Sequence, residues 1–265
     1  MMLSETRRAF DSVAGAYDGP RGNNALIQDM RALSWRLIER QLLPHSRLLD
    51  IGCGTGIDAL HFATLGHSVC AIDASGGMIA RAREQAAERG LQRGVDFRQL
   101  GAQELERLEG SFDLAYSNFG PLNCVPDLHQ AASQCARLLT PQGLAIFTVM
   151  GRFCPWETAY YLLKGRGRRA SVRFARKMTA VGLNGHTAWV HYYTPHEFYR
   201  CFSPHFSLVS YQALSLWMPP PYLLAWHERH VALGRALRWL DERTGSWPLL
   251  RNAGDHFLMI LRKRP

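Results

Sequence analysis

The sequence contains no apolar run of 18 or more residues, no C-x-x-C pair among its six cysteines and no low-complexity linker. The first absence argues against a membrane-spanning helix. Six cysteines in 265 residues are too sparse for a disulfide-stabilised secreted scaffold, so we expect reduced thiols in a cytoplasmic protein. The 11 histidines form no set with zinc-ligand spacing, and no metal site is therefore expected.

Acidic residues are scarce in the second part of the chain. Residues 151–265 carry 6 Asp and Glu against 17 Lys and Arg, whereas residues 1–150 carry 16 against 14. The formal net charge of +9 therefore lies entirely in the second part, which could meet an anionic partner. The N-terminal residues Met1–Arg8 have no apolar core of the kind that a secretory signal peptide needs.

Strands alternate with helices as far as residue 150. We expect strands at 47–51, 68–72, 95–99, 112–117 and 144–150, and helices at 24–42, 57–65, 76–89 and 127–139. This alternation predicts a doubly wound parallel sheet with helices on both faces and right-handed crossovers.

The regular alternation of strands and helices ends after Gly151. The pattern predicts helices at 155–164 and 170–181, a β-rich segment at 187–193, a capped helix from Thr194, strands at 206–217 and 256–262, and a helix at 222–242. Two strands need far fewer than 115 residues. We therefore expect the excess to form a cap over the sheet.

Glycines at 52, 54 and 56 follow the first strand, and Asp50 stands two residues before them. Such a turn lets a ligand approach the backbone, and Asp73 at the end of the next strand can accept hydrogen bonds from a ribose diol. The dinucleotide pattern is G-x-G-x-x-G, whereas this loop has G-x-G-x-G with an acid that would repel a pyrophosphate. A nucleoside with a cationic amine and no phosphate fits better, and S-adenosyl-L-methionine (SAM) has these groups.

The block Leu49–Gly56 resembles motif I of the class I SAM-dependent methyltransferases, and Val69–Met78 resembles their second motif. The lead-in Ala9–Asp18 is similar to that of their ubiquinone/menaquinone-biosynthesis-like (type 11) group. The resemblance implies a single domain with a Rossmann-like, seven-stranded sheet, an antiparallel last strand and an α-rich cap insertion. Its expected parts are a lead-in at 1–45, a SAM-binding core at 46–150, cap elements at 151–205 and 218–250, and final strands at 206–217 and 256–262.

The same resemblance implies roles for individual residues on the donor side. Asp50 would take the amino group, Asp73 the ribose hydroxyls, and Tyr17 would close over the pocket. The remaining donor contacts are expected from Gly52, Cys53, Gly54, Gly56, Ala74, Met78, Ala102, Gln103, Ser117, Asn118 and Phe119. Ala102 departs from the family, which carries an acid near the adenine amino group at this place; Gln103 could supply that hydrogen bond instead.

The acceptor side is expected at the end of the fourth strand, because ligands bind at the carboxyl ends of parallel strands. Residues 117–120 spell Ser-Asn-Phe-Gly rather than the N/D-P-P-Y/F motif of DNA adenine and protein glutamine methyltransferases, which argues against nucleobase amino methylation. An oxygen or acidic carbon acceptor needs a base. The candidates are His191, His186 and Tyr17, with His256 as a further one.

Aromatic residues are abundant in the cap and favour a small, largely apolar or aromatic biosynthetic metabolite as the methyl acceptor, methylated on oxygen or carbon. The basic run 164–177 is either a solvated surface or a contact with an anionic membrane or an acidic partner. It lacks a nucleic-acid-binding module, so nucleic acid is the least expected partner. A tRNA or rRNA methyltransferase and a SAM-binding protein without transferase activity are the alternatives, and the oligomeric state is left open.

Overall fold

The computed structural model describes residues 1–19 and 22–265. Two helices precede the sheet: α1 (Met2–Asp11) and α2 (Ala25–Glu39), with a short 3-10 turn at Ala14–Ala16 between them. Asn24 begins α2, since its side-chain oxygen accepts hydrogen bonds from the backbone of Leu26 and Ile27. Pro20 and Arg21, which belong to the expected lead-in at 1–45, lie outside the described residues.

Strands and helices then alternate as the pattern predicts. The strands are β1 (Arg47–Ile51), β2 (Ser68–Asp73), β3 (Val95–Gln99), β4 (Phe112–Ser117), β5 (Leu139–Met150), β6 (Thr179–Leu183), β7 (His186–Val190), β8 (Phe206–Leu214) and β9 (His256–Lys263). The remaining helices are α3 (Ile57–Thr64), α4 (Gly76–Glu88), α5 (Leu128–Leu138), α6 (Pro155–Leu163), α7 (Gly167–Ala170), α8 (Pro195–Phe202), α9 (Leu224–Arg229) and α10 (Val231–Thr244).

Seven strands form the main sheet in the order β3-β2-β1-β4-β5-β9-β8. The first five run parallel, and β9 is antiparallel to both of its neighbours. The predicted Rossmann-like, doubly wound sheet with an antiparallel last strand is therefore confirmed. The order of strands reverses between β1 and β4, and this is where a ligand crevice opens in such sheets.

Alternate residues of the central strands point into two separate cores, one on each face of the sheet. Leu49 and Phe147 belong to the first core, and Leu48 and Ile146 belong to the second. Both faces are buried because helices cover each of them, which explains why neighbouring residues of these strands, Leu48 and Leu49 in β1 and Ile146 and Phe147 in β5, are apolar rather than alternating. The ends of β1, β2 and β4 are thus held on a rigid platform.

The prediction of a helix at 170–181 is wrong. Residues 170–181 contain the end of α7, a 3-10 turn and the first part of β6, which pairs with β7 in a two-stranded hairpin. Asn184 and Gly185 connect the two strands with φ angles of 48° and 77°. Asn-Gly favours this tight hairpin turn, and the cross-strand pairing outweighs the local helical pattern.

Two further features of the cap can be compared with the sequence. The capped helix is present: Thr194 accepts from the Glu197 N–H at 3.2 Å, and Glu197 accepts from the Thr194 N–H at 3.0 Å. The helix predicted at 222–242 is interrupted instead, because His230 leaves the helical conformation between α9 and α10. None of the described helices is both long and apolar enough to span a bilayer.

Arg173 ties the cap to the sheet. Its guanidinium donates to Glu157 of α6 at 2.8 Å and to Asp255, next to β9, at 2.6 Å. Burial by itself would raise the pKa of Asp255, but Arg173 and His256 outweigh it and hold that pKa below its usual range. Arg173 belongs to the basic run 164–177, but its side chain is buried and connects α6 to the sheet rather than lying free on the surface.

Candidate functional site

A cavity of about 390 Å³ opens at the carboxyl ends of β1, β2 and β4. Most of its wall comes from the N-terminal segment, the loops after β1, β2 and β3, and the segment after β4, and Arg31 of α2, Met150 of β5 and Val190 of β7 also line it. Of the residues expected at the site, the wall includes Tyr17, Gly52, Cys53, Gly54, Asp73, Ala74, Met78, Ala102, Gln103, Asn118 and Phe119. Asp50, Gly56, Ser117, His186 and His191 do not line it.

The glycine loop has a backbone that side chains would disturb. Gly52 has a φ of +81°, and a Cβ there would lie 2.1 Å from Pro121. Gly56 has a φ of +84°, and its Cβ would lie 2.9 Å from the Phe97 ring. Gly54 faces the cavity, where the nearest atom to an added Cβ is on Tyr17 at 3.9 Å. The loop therefore presents bare backbone to the cavity.

Asp73 connects the two loops that follow β1 and β2. Its Oδ2 accepts a hydrogen bond from the Gly54 N–H at 2.9 Å, and its Oδ1 accepts one from the Ser75 N–H at 2.8 Å. Burial raises the pKa of Asp73, while the two backbone donors counteract part of that rise. Each oxygen keeps a lone pair for a further donor, so the carboxylate can accept hydrogen bonds from a diol in the cavity.

Asp50 is almost fully buried at the end of β1, and its Oδ2 has no hydrogen-bond partner among the described residues. Burial raises its pKa well above the usual range, and the nearby Asp58 carboxylate adds to the rise. A buried carboxylate oxygen without a partner fits a cationic ligand group, which it would reach directly or through a water molecule.

A buried ion pair that no sequence motif indicates lies on the cavity wall. Arg31 donates to Asp58 Oδ1 at 2.5 Å, and Trp35 donates to the same oxygen at 2.7 Å. The charge of Asp58 outweighs burial and raises the pKa of Arg31. Arg31 lines the cavity, and its Nε has no partner within the described part of the chain, so it can bind an anionic group. The available signal was a charged residue on the buried stripe of α2, between Met30 and Ser34.

The segment after β4 is only partly available to a ligand. The Asn118 oxygen accepts from Ser34 at 2.8 Å and from Thr148 at 3.0 Å, and its amide nitrogen donates to Asp58 at 3.1 Å. Ser117 is fully buried away from the cavity. The side-chain amide of Asn118 thus forms its hydrogen bonds within the protein. It stabilises this part of the site rather than binding a methyl acceptor.

Phe119 is the aromatic residue of this segment on the cavity wall. Its backbone is left-handed, with a φ of 62°. The Arg31 guanidinium lies 4.9 Å from the centre of the Phe119 ring, and the His256 ring packs edge-on at 5.8 Å. These two contacts hold the ring in place despite the uncommon backbone conformation.

The cavity is apolar at the end formed by the loops after β2 and β3. Met78, Leu100 and Ala102 line it there together with Gln103. Glu104, which follows, is engaged by the Gly101 N–H at 3.0 Å and by Arg107 at 2.7 Å. A flat aromatic group fits this end, and Gln103 is the side chain there that can form a polar contact with it.

The three candidate histidines do not reach the cavity. His186 is exposed on the hairpin, and His191 is half-buried beside Tyr193, where burial and the Arg152 charge lower the pKa of its imidazole. His256 packs against Phe119, and its Nδ1 lies 3.0 Å from a carboxylate oxygen of Asp255. Of the candidate bases, Tyr17 lines the cavity, and burial raises the pKa of its hydroxyl, which keeps it neutral.

Residues 48–143 match a family model described as a methyltransferase domain. The chain is 36% identical over 159 residues to a malonyl-[acyl-carrier protein] O-methyltransferase of Methylovorus sp. (strain MP688), covering 56% of this chain and 50% of the relative. It is 34% identical over 146 residues to a ubiquinone biosynthesis O-methyltransferase of Alkalilimnicola ehrlichii, covering 54% and 58%. The chain thus spans between half and three fifths of the length of these curated relatives.

The fold is similar to solved structures over most of the chain. A crystal structure described as that of SAM-dependent methyltransferases from Methanosarcina mazei superposes with a TM-score of 0.59 at 22% identity. The match covers 86% of this chain and 96% of that structure. At this identity the likeness establishes the fold, and the chemistry has to be argued from the residues of the cavity.

Proposed function

Because residues 48–143 match the model of the methyltransferase domain, we propose that the chain binds SAM and transfers its methyl group to an oxygen or carbon atom of a small biosynthetic metabolite. The observation that carries this proposal is the arrangement around the cavity. The bare glycine loop, the diol-accepting Asp73 and the unpaired oxygen of Asp50 meet the ribose and the amino group of one ligand. No phosphate is needed to explain any of these contacts.

The cavity suggests how the donor lies. Asp73 would accept hydrogen bonds from the ribose hydroxyls, and the apolar end beside Met78 and Ala102 would hold the adenine ring. The methionine portion would then follow the glycine loop, with its amino group toward Asp50. Arg31 is the buried cation on the wall and would meet the carboxylate of the donor. This orientation directs the methyl group toward Phe119 and Tyr17.

Methyl transfer from a sulfonium is an in-line displacement, so alignment and the exclusion of water can supply much of its rate. The carboxylates that line the cavity, Asp58, Asp73 and Glu104, are all engaged in hydrogen bonds. Tyr17 is the one proposed catalytic residue on the wall, and it would orient the acceptor as a neutral hydroxyl. An acceptor that is already ionised, such as a carboxylic acid or an acidic phenol, fits this environment best. The relatives' names support an oxygen acceptor.

Calorimetric titration with SAM and with its demethylated product, S-adenosylhomocysteine (SAH), tests the donor assignment. We expect saturable one-site binding of both, and no binding of NAD⁺, which carries a pyrophosphate. Transfer is then tested with methyl-labelled SAM against a panel of small carboxylic acids, phenols and neutral alcohols. Labelled acids or phenols are the expected products. Failure to bind SAM and SAH would show that the cavity serves another ligand.

A second candidate function is SAM binding without methyl transfer. The specific observation in its favour is that no histidine and no unengaged carboxylate is found on the cavity wall, as far as the described residues show. SAM binding with normal affinity, combined with no labelled product from any acid or phenol in the panel, would favour this candidate over a transferase.

The exposed cations of the basic run support a second proposal about partners. Lys164, Arg166, Arg168 and Arg169 are exposed beside the aromatic side chains of α6, and Lys164 and Arg169 lie over Tyr160 and Tyr161. We propose that this surface makes peripheral contact with an anionic membrane or an acidic partner in the cytoplasm, and the six free cysteines fit that reducing compartment. Cosedimentation with anionic but not neutral vesicles is the expected result. Salt-sensitive binding to RNA instead would favour the nucleic-acid alternative.

A further inference from the structure

We propose that Asp11 and Asp18 are positioning residues, which hold the N-terminal segment closed over the cavity by binding the two loops that carry the donor site. The N-terminal segment here means residues 1–19. The proposal rests on the proposed function in one respect: it assigns the cavity to SAM and SAH. It adds two residues that act through the donor loops and touch no ligand themselves.

Asp18 binds the glycine loop and α4 at the same time. Its Oδ1 accepts a hydrogen bond from the Thr55 hydroxyl at 2.5 Å, and its Oδ2 accepts one from the Gln85 amide at 2.7 Å. The same Gln85 amide nitrogen donates to the backbone oxygen of Thr55 at 3.0 Å. Thr55 stands between Gly54 and Gly56, so both oxygens of Asp18 are used to fix the loop after β1.

Asp11 binds the second loop. Its Oδ1 accepts from the Ser75 hydroxyl at 2.5 Å and from the Gly77 N–H at 3.0 Å. These groups stand at the beginning of α4, where backbone N–H groups lack partners within the helix and favour a negative charge. Ser75 also donates its backbone N–H to Asp73. Asp11 is thus connected through one residue to the proposed ribose contact.

The N-terminal segment lines the cavity on both sides of Asp11. Phe10 and Tyr17 lie on the cavity wall, together with Leu3, Thr6 and Arg7 of α1. The two carboxylates therefore act as latches at either end of the turn that carries Tyr17. Closing this segment also fixes the shape of both donor loops, because the same hydrogen bonds serve both purposes.

Little apolar burial holds the segment in place otherwise. Thr6 and Ala9 are the buried residues of α1 among the ten that form it. Ala14 is also buried, in the turn after α1. Polar contacts attach the segment to the cap hairpin: Trp189 donates its backbone N–H to Thr6 and its indole N–H to Glu5 at 2.6 Å, and the Asn184 amide donates to the Ser12 backbone oxygen at 3.0 Å. A surface segment with so few buried apolar contacts can open locally without global unfolding. Loss of a latch should therefore raise the open population while the core stays folded.

The open population sets the apparent affinity for the donor, since a ligand that needs the closed form binds in proportion to its fraction. Removal of a hydrogen-bonded carboxylate is expected to weaken SAH binding by about tenfold. The two latches differ in one useful way. Asp11 uses a single oxygen, which the asparagine of Asp11→Asn can supply. Asp18 uses both oxygens, and Asp18→Asn can keep both bonds only by turning its amide nitrogen toward the Thr55 hydroxyl, which can accept as well as donate.

The test compares Asp11→Ala, Asp18→Ala and the two asparagine variants with Asp127→Ala. Asp127 is the matched control, because it caps α5 through the His129 and Gln130 N–H groups and does not line the cavity. Two quantities are measured: the rate of tryptic cleavage after Arg7 and Arg8 in the free protein, and the dissociation constant of SAH. Melting temperatures show that each variant is folded.

We expect faster cleavage and about tenfold weaker SAH binding for both alanine variants, with near-normal values for the two asparagine variants and for Asp127→Ala. Wild-type cleavage and affinity in both alanine variants would overturn the proposal. Equal effects in Asp127→Ala would assign the change to general stability and would also overturn it. If the wild-type protein fails to bind SAH, the proposed function fails, while the cleavage rates still decide whether the latches hold the segment.

Discussion

The Asp73 carboxylate accepts a hydrogen bond from the Gly54 backbone N–H at 2.9 Å. The acid at the end of β2 and the glycine loop after β1 are therefore one connected unit on the cavity wall. A ligand that binds Asp73 also encounters a loop whose shape Asp73 maintains. This relationship explains why the spacing of the two motifs along the chain was informative about a single site.

Replacement of Asp73 by alanine removes the acceptor proposed for the ribose hydroxyls and a hydrogen bond that fixes Gly54. We expect SAM to bind at least about tenfold more weakly, which corresponds to ~1.4 kcal/mol or more. Calorimetric titration measures the change. Asp96→Ala is the control, because Asp96 is an exposed acid on β3 that pairs with Arg98. Unchanged affinity in Asp73→Ala would contradict the ribose assignment.

The raised pKa of Asp50 predicts that the affinity for the donor depends on pH. Burial and Asp58 raise its pKa in the free protein, and a bound ammonium group would lower that pKa again. Binding should therefore release up to about one proton, and the affinity should rise with pH as Asp50 ionises. Titrations in buffers of different ionisation enthalpy measure the released proton. Proton release that persists unchanged in Asp50→Asn would show that another group is responsible.

Gly56→Ala should destabilise the fold. The new Cβ would lie 2.9 Å from the Phe97 ring, and the alanine backbone would have to adopt a φ of +84°. We expect a loss of roughly 2 kcal/mol in the free energy of unfolding, measured by urea denaturation. Gly182→Ala in β6 is the matched control, since nothing lies within 4 Å of its added Cβ. Similar losses in both variants would contradict the steric argument.

Arg173→Met leaves the buried Asp255 and the largely buried Glu157 without their shared partner. The expected loss in unfolding free energy at neutral pH is about 3 kcal/mol. Because the folded-state pKa of Asp255 is lowered, the stabilisation by this pair is present above its unfolded pKa of about 4 and is lost as the pH falls further. The difference between the two proteins should therefore shrink in acid.

Arg169→Ala is the control for this prediction, since Arg169 belongs to the same basic run and is exposed. Denaturation curves at neutral and acidic pH should show little change for it at either pH. A deficit for Arg173→Met that stays constant, or grows, as the pH falls would contradict the assignment of the ion pair.

The donor loops were predictable because their chemistry is local. A bare backbone with positive φ angles requires glycine, and these requirements appear in the sequence at Gly52 and Gly56. The acid at the end of the following strand is equally local, because the parallel strands β1 and β2 are adjacent in the sheet. Periodicity and turn residues fixed the order of elements up to β5 for the same reason.

Contacts between distant parts of the chain were not predictable. Arg31 and Asp58 are neighbours only because α2 packs against α3, and Asp11 reaches Ser75 only after the N-terminal segment has docked. The first strand of the cap hairpin, β6, was missed because its pairing with β7 competes with a helical pattern in the local sequence. The candidate histidines were chosen by residue type. The exposure of each side chain and the direction in which it points depend on how the cap packs, which residue type does not reveal.

The most direct test of the central claim is a crystal structure of the protein with SAH bound. The account predicts that the ribose diol lies within hydrogen-bond distance of Asp73, with the adenine beside Met78 and the amino group toward Asp50. The carboxylate of the ligand should lie near Arg31. A complex in which SAH occupies another place, or in which the diol lies away from Asp73, would contradict the assignment of this cavity as the donor site.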